Sequence, residues 1–245
     1  MLRGWRFAMS HSVDTDSQSF WLEHLGNAEA LNRWVFAQFA GCLGDDILEV
    51  GCGNGNFTVM MGATGARVCG IEIEPSFVKA ARQATEHQPT VRIEQADVTV
   101  KQWQQKFDTV VMLDVIEHLE DDVGTLDLLH EALRPGGRIV LKVPAMPGVY
   151  GTLDEAVGHF RRYTRRTLSQ VLSDAGFIDA RVHAFNALGV LGWWLNGRLL
   201  RRRVPDAGFI SGFNAVVPLA RALDRIAPPG FGLSLIALAK RRNGA

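Results

Sequence analysis

Cysteine, net charge and long apolar runs are all scarce in this 245-residue sequence. Its three cysteines, Cys42, Cys52 and Cys69, cannot all pair, and none lies in Cys-x-x-Cys spacing. That leaves no zinc ribbon or thioredoxin-type dithiol and favours a reducing, cytoplasmic compartment. The 26 basic and 26 acidic side chains cancel. A dedicated nucleic-acid binder usually carries a basic excess, so nucleic acid is not an expected partner. No uninterrupted apolar stretch approaches the roughly 18 residues of a membrane span. The longest run, Leu188 to Leu195, is far too short, and the opening MLRGWRFAMSHSVDTDSQ turns polar before a signal-type apolar core forms. Repeats and low-complexity tracts are absent as well.

What is present in quantity is apolar. Hydrophobic residues make up 47% of the chain, enough to fill a core and to exclude disorder of the whole. The length suits one α/β domain with an appendage. The cancelled charge is also segregated. Residues 181–245 hold ten basic groups against Asp206 and Asp224, leaving 16 basic and 24 acidic groups in the first 180 residues.

Short apolar runs alternate with helical patterns along the middle of the chain, the mark of a parallel sheet with crossover helices. Strands are expected at 46–50, 67–71, 90–94, 107–113, 138–143, 179–184 and 233–239, with the 107–113 run almost continuously apolar, as a buried parallel strand should be. Helices are expected from about Phe57, from Pro75, over 121–133 up to the breakers Pro135-Gly-Gly137, and over 167–174. This divides the chain into an N-terminal helical cap (1–40, with helical spacing over 20–40), a core (41–184 and 232–245) and a helical insertion (185–231) before the last strand. Within the insertion a helix is expected over 213–226, ended by Pro228-Pro-Gly230.

The sharpest motif is Glu49-Val-Gly51-Cys-Gly53-Asn-Gly55, between the first strand and the first helix of the core. Glycines there let backbone approach a ligand closely. The spacing is G-x-G-x-G, not the G-x-G-x-x-G of dinucleotide loops. Glu49 beside it would repel a pyrophosphate but suits a cation such as S-adenosylmethionine, which carries an ammonium and a sulfonium. Glu72 ends the second strand, where an acid can accept both ribose hydroxyls, and Asp97 follows the third, placed for the adenine amino group. Three acids at the carboxyl ends of three successive strands occupy the place where open α/β sheets bind ligands.

Together ILEVGCGNGNFT, GIEIEP, QADV, FDTVVMLDVIEHL and LRPGGRIVL resemble the class I S-adenosylmethionine-dependent methyltransferases, over about residues 30–183 plus the last strand. The resemblance implies a Rossmann-like, seven-stranded, mostly parallel doubly wound sheet. It implies that Glu49, Gly51 and Gly53 line the methionine portion, that Glu72 holds the ribose (Glu74 is the other candidate), and that Asp97 meets adenine. Asn54, Ile73 and Val98 are further expected cofactor contacts, and Leu113 and Asp114 border the sulfonium.

Asp114-Val-Ile-Glu117-His118 would share one face at i, i+3 and i+4 if helical, and His159 follows in a YGxxDxxxGHxRRY stretch. The pattern is similar to that of ubiquinone-biosynthesis O-methyltransferases and small-RNA 2′-O-methyltransferases. There an acid-x-x-Glu-His motif and a later histidine hold a metal. The resemblance therefore implies Asp114, Glu117, His118 and His159 as ligands of a divalent ion such as Mg, although Asp114 is shorter than the glutamate of those families. The metal-free alternative keeps His118, His159 and Asp114 as catalytic residues, with His118 as base or pocket wall. Arg161 and Arg162 either bind an acidic acceptor or pair with Asp154, Glu155 or other core acids.

The expected function is methyl transfer from S-adenosylmethionine to a small-molecule acceptor (a natural product, quinol or cell-envelope precursor), at a hydroxyl. The alternatives are a metal-free C- or N-methyltransferase and a non-catalytic S-adenosylmethionine-binding protein. The insertion, with Trp193-Trp194 beside Arg198 and Arg201–Arg203, suits a lid or a homodimer contact. Peripheral membrane attachment or a lipid-linked substrate is the other use of such a segment.

Overall fold

The structure, a computed structural model, describes residues 28–204 and 207–242. Most of the expected N-terminal cap therefore lies outside the described residues. Seven strands form one sheet: β1 Asp46–Val50, β2 Arg67–Glu72, β3 Val91–Gln95, β4 Phe107–Leu113, β5 Leu133–Pro144, β6 Phe177–Phe185 and β7 Ser234–Arg241. Their order is β3-β2-β1-β4-β5-β7-β6, with β7 antiparallel to both neighbours and every other described pairing parallel. The chain steps outward from β1 to β3 and then crosses to β4 on the other side of β1. A crevice opens at that reversal, outside the carboxyl ends of the strands.

The helices are α1 Glu29–Ala37, α2 Asn56–Gly62, α3 Pro75–Ala84, α4 Asp122–Ala132, α5 Thr152–Val157, α6 Arg165–Asp174, α7 Ala187–Trp194 and α8 Ala207–Asp224. Alternation in the strands sends side chains to two cores. On one face Leu48, Met112, Leu141 and Ala237 pack with Leu126 and Leu129 of α4 and Leu168 and Leu172 of α6. On the other, Ile47, Val111, Val140 and Ile236 pack with Trp34 and Val35 of α1, Met61 of α2 and Val217 and Ala220 of α8. Each of the leucine, isoleucine, valine and methionine side chains among them contributes roughly 1.5–3 kcal/mol by leaving water. The three cysteines are free thiols.

Two expectations change. The chain does not break at Pro135-Gly-Gly137: β5 starts at Leu133, which pairs with Phe107 of β4, and the ladder resumes at Thr109–Arg138 after a register shift. A bulge absorbs the turn residues inside the strand. The second helix of the insertion begins earlier than expected, at Ala207, and carries Pro218 inside it.

The insertion is tied to the sheet by charge and dipole. Asn186, at φ 66°, reverses the chain after β6, and its side chain accepts the Gly189 N–H at 3.0 Å. Asp224, at the end of α8, accepts the Asn186 and Ala187 N–H groups at 2.7 and 2.8 Å. A carboxylate there satisfies donors that the first turn of α7 leaves open. Asp224→Ala is therefore expected to lower the unfolding free energy by about 1–3 kcal/mol, with Asp224→Asn losing less. Urea unfolding monitored by tryptophan fluorescence reads this, and an unchanged midpoint for Asp224→Ala would contradict the tie.

Candidate active site

The glycine loop leaves β1 in three left-handed steps, with φ 70° at Gly51, 53° at Gly53 and 89° at Gly55. An L side chain is strained at such angles. At Gly51 a Cβ would also lie 2.4 Å from a methyl of Val115. The Gly51 and Cys52 N–H groups donate to the Ile71 carbonyl at 2.9 and 3.0 Å, which fastens the loop to β2. Glu72 completes the fastening. It accepts the Gly53 N–H at 3.0 Å, and its other oxygen accepts those of Ile73 and Glu74 at 2.8 and 3.1 Å. A carboxylate has about four acceptor positions, so this leaves capacity for further hydroxyl donors. Glu74 faces elsewhere: it caps α3 by accepting from the Ser76 N–H and hydroxyl.

Glu49 is buried under the loop and accepts the Thr58 hydroxyl. Burial pushes its carboxyl up to about 8, against the Thr58 hydrogen bond and with the Glu72 charge adding to the rise. Burial likewise raises the Cys52 thiol, which keeps it inert beside the loop. Asp97 closes a turn after β3 by accepting the Thr99 N–H and hydroxyl at 2.8 and 2.7 Å, next to buried Val98. Ile73 is 59% exposed, unusual for isoleucine at a strand end, while Leu113 and Asn54 are half-buried.

Across the crevice, after β4, the chain forms a short 3₁₀ turn, Ile116–His118, instead of an α-helix. The i, i+3, i+4 face therefore does not form. Asp114 sits outside the turn in the left-handed region (φ 53°); its N–H donates to the Lys142 carbonyl at 2.8 Å and its carboxylate pairs with the Lys142 ammonium. Of the four expected ligands, the structure gathers three. Glu117, His118 and His159 each place a ligand-type atom within 4.8 Å of the others, and the two imidazoles meet edge to face at 4.7 Å. Asp114 is not in the group.

Glu117 is wholly buried, and neither of its carboxylate oxygens has a hydrogen-bond partner. The His159 Nε2 lies 3.8 Å from one of them. A buried polar group left unpaired costs about 1–3 kcal/mol, more when charged. Burial, and then the Asp114 charge, hold the Glu117 carboxyl well above the usual range. Burial and the neighbouring His159 push His118 down to about 4, so its imidazole is neutral at pH 7.

His159 is aimed from behind. Its Nδ1 bonds the Asp154 carboxylate at 2.8 Å, which turns Nε2 toward Glu117. Asp154 is fully buried and also accepts the Arg162 Nε–H at 2.7 Å, the Trp193 indole N–H at 3.0 Å and the Gly151 N–H at 3.1 Å. Burial opposes its ionisation, but His159, Arg162 and Trp193 outweigh that and hold its pKa below the ordinary value. Arg162, buried and 4.8 Å over the Trp193 ring, is committed to Asp154 and is not a surface for an acidic acceptor. Arg161 pairs with Asp122 at 2.8 Å. Both arginines thus take the ion-pair alternative.

Sequence reasoning missed Lys142, Trp193 and the orienting role of Asp154. Only Asp154 carried a signal, its fixed place five residues before His159 in the D-x-x-x-G-H run.

Comparison with known proteins points to the same fold. Residues 48–139 match the family model for a methyltransferase domain. The ubiquinone biosynthesis O-methyltransferase of Acinetobacter baylyi is 28% identical over 120 residues, 47% of this chain and 50% of that protein. The mitochondrial enzyme of that name from Schizosaccharomyces pombe is 32% identical over 126 residues, 49% of this chain and 46% of its own. The chain thus spans about half the length of the curated relatives it matches. Among solved structures, an S-adenosylmethionine-dependent methyltransferase from Mesorhizobium loti superposes with a TM-score of 0.61 at 20% identity, covering 84% of this chain and 97% of that one. Phosphoethanolamine N-methyltransferase 2 of Haemonchus contortus, solved with S-adenosylmethionine, gives 0.63 at 17% identity, covering 87% and 52%. Residues 48–139 thus resemble a methyltransferase domain, and the chain shares the Rossmann-like fold of solved S-adenosylmethionine-dependent methyltransferases.

Glu49 makes a pH signature for the ligand-free protein. Its folded pKa of about 8 lies above the ordinary carboxylate value. Between the two the folded state holds a proton that the unfolded state has released, so stability falls as pH rises. Glu117 acts in the same direction. His118 acts oppositely, but only below its ordinary pKa of 6.5. From pH 6.5 to 8 the acids alone remain, and stability should decline. Glu49→Gln should make that decline shallower in urea unfolding measured across the window. An identical slope in the variant would contradict the buried-acid assignment.

Proposed function

We propose that this chain transfers the methyl group of S-adenosylmethionine to a hydroxyl oxygen of a small-molecule acceptor, with Glu117, His118 and His159 holding a divalent ion beside the acceptor. The observation that carries this reading is the buried Glu117 carboxylate. Its two unpartnered oxygens face two imidazoles, one of them oriented by Asp154. A cation supplies what those oxygens lack, and a histidine held through its other nitrogen by a carboxylate is the usual companion of a metal ligand. Two imidazoles and one carboxylate suit a transition ion such as Zn, Mn or Fe better than Mg, which prefers oxygen ligands. The expectation of Mg is revised on that ground. The similarity to ubiquinone O-methyltransferases supports oxygen as the atom methylated.

The cofactor half follows from charge. Glu49, Glu72 and Asp97 line the ends of β1, β2 and β3 and suit a ligand bearing an ammonium, a sulfonium, two ribose hydroxyls and an adenine amino group. Gly51, Gly53 and Asn54 give the backbone approach, and Ile73, Val98 and Leu113 offer apolar cover. The reaction is an in-line displacement: the acceptor oxygen bonds the methyl carbon as the carbon–sulfur bond breaks, and that electron pair stays on sulfur. The hydroxyl proton must leave. A bound divalent ion would supply Lewis-acid assistance by lowering the pKa of that hydroxyl. With His118 holding an ion that proton leaves to solvent; only in the metal-free alternative can His118, neutral at pH 7, take it. The chain otherwise contributes alignment.

Two titrations separate the halves. Isothermal calorimetry with S-adenosylhomocysteine should show binding that Glu72→Ala weakens at least tenfold and Glu117→Gln leaves unchanged. Titration of the metal-stripped protein with Mn²⁺ or Zn²⁺ should show one site that Glu117→Gln abolishes and Asp154→Asn weakens about 10- to 100-fold. Cofactor binding without any metal site would favour the metal-free reading, with His118 as base. No cofactor binding would remove the proposal altogether.

A further inference from the structure

Helix α7 and the segment after it have two different faces. Inward, Trp193 reaches Asp154, the Thr152 hydroxyl donates to the Gly197 carbonyl at 3.0 Å, and Gly151 packs so closely that a Cβ there would lie 2.6 Å from the same oxygen. The helix widens into a π-turn over Leu195–Leu199, closed by the Leu200 N–H on the Leu195 carbonyl at 2.8 Å, which seats Asn196 and Gly197 in the interior. Outward, Leu191, Trp194, Leu195, Leu199 and Leu200 are 42–64% exposed. The first four recur at i, i+3, i+4 and i+8, one stripe of a helix. Where the stripe ends, Arg201 turns the chain in the left-handed region, and Arg201 and Arg203 are exposed. No carboxylate among the described residues pairs with either of them.

We propose that this outer face docks on an anionic bilayer surface. The inner face already closes on the Asp154 site, so the outer stripe is not the contact surface of a lid. Contiguous exposed apolar surface of this kind marks an interaction site. A two-fold self-interface would pack the leucines on their copies but leave the flanking arginines without a counter-charge. Leucines and a tryptophan flanked by arginines match an interface of acyl chains beneath anionic headgroups. No helix of the described residues is long and apolar enough to cross a membrane, so attachment is peripheral. Because the same helix touches Asp154 on its inner side, docking would hold the His118–His159 side of the crevice close to the lipid surface. The attachment itself does not depend on the methyl-transfer reading.

The test is co-sedimentation of the full chain with vesicles of phosphatidylcholine alone and of phosphatidylcholine containing one-third phosphatidylglycerol. The expected result is binding to the anionic vesicles only, weakened by salt. Each of Arg201→Gln and Arg203→Gln should lower the partition coefficient about fivefold, and Leu199→Ser and Leu191→Ser should lower it without altering the circular dichroism. Protein that stays in the supernatant with anionic vesicles at low salt overturns the proposal. So does binding that none of these substitutions changes. A concentration-dependent dimer in sedimentation velocity, lost in Leu199→Ser, overturns it by assigning the face to a second copy.

Discussion

A buried carboxylate must be paid for in hydrogen bonds, and Asp154 is where this molecule concentrates that constraint. The side chain is fully buried, and its oxygens collect an imidazole, a guanidinium, an indole N–H and a backbone N–H. The four partners come from three stretches: His159 and Arg162 from the loop before α6, Trp193 from the insertion, Gly151 from the start of α5. Remove the carboxylate and a buried guanidinium is left without its counter-ion, which is the expensive way to break such a pair. The orientation of His159, the seat of the insertion and the wall of the crevice therefore stand or fall together.

The two halves of the crevice solve opposite problems. On the glycine-loop side, acids are supplied with donors: Glu72 accepts three backbone N–H groups, and Glu49 accepts a hydroxyl. On the β4 side, Glu117 is buried with none. The first arrangement is stable alone and ready to meet a cationic ligand. The second is incomplete without a proton or a cation. The charge segregation of the sequence follows the same division. The acidic part builds both halves of the crevice, and the basic part lies in the insertion and the last strand, where Arg241 binds the end of α4 through the His130 carbonyl at 2.8 Å.

Much of this was legible beforehand. Strand periods, the glycine loop and the acids at Glu49, Glu72 and Asp97 depend on local chemistry, and local chemistry is written in consecutive residues. The starts of α2, α3, α4 and α6 also followed within a residue or two from caps and breakers, whereas α8 starts six residues before its expected position. The β5 bulge was not legible, because pairing with Phe107 outweighs the turn preference of Pro135-Gly-Gly137. Nor was the separation of Asp114. Its spacing to Glu117 suggests a shared face only if the chain is helical, and the left-handed backbone at Asp114 and its contact with Lys142 come from β5, 28 residues on. Trp193 and Asp154 lie 39 residues apart, so the link between insertion and site is purely tertiary.

The most direct measurement is a crystal structure grown with S-adenosylhomocysteine and Mn²⁺, with diffraction recorded at the manganese edge. An anomalous peak bonded by Glu117, His118 and His159, with the ligand's ribose on Glu72 and its sulfur toward that peak, is the predicted result. A nucleoside bound in the crevice with no manganese at those three residues would contradict it.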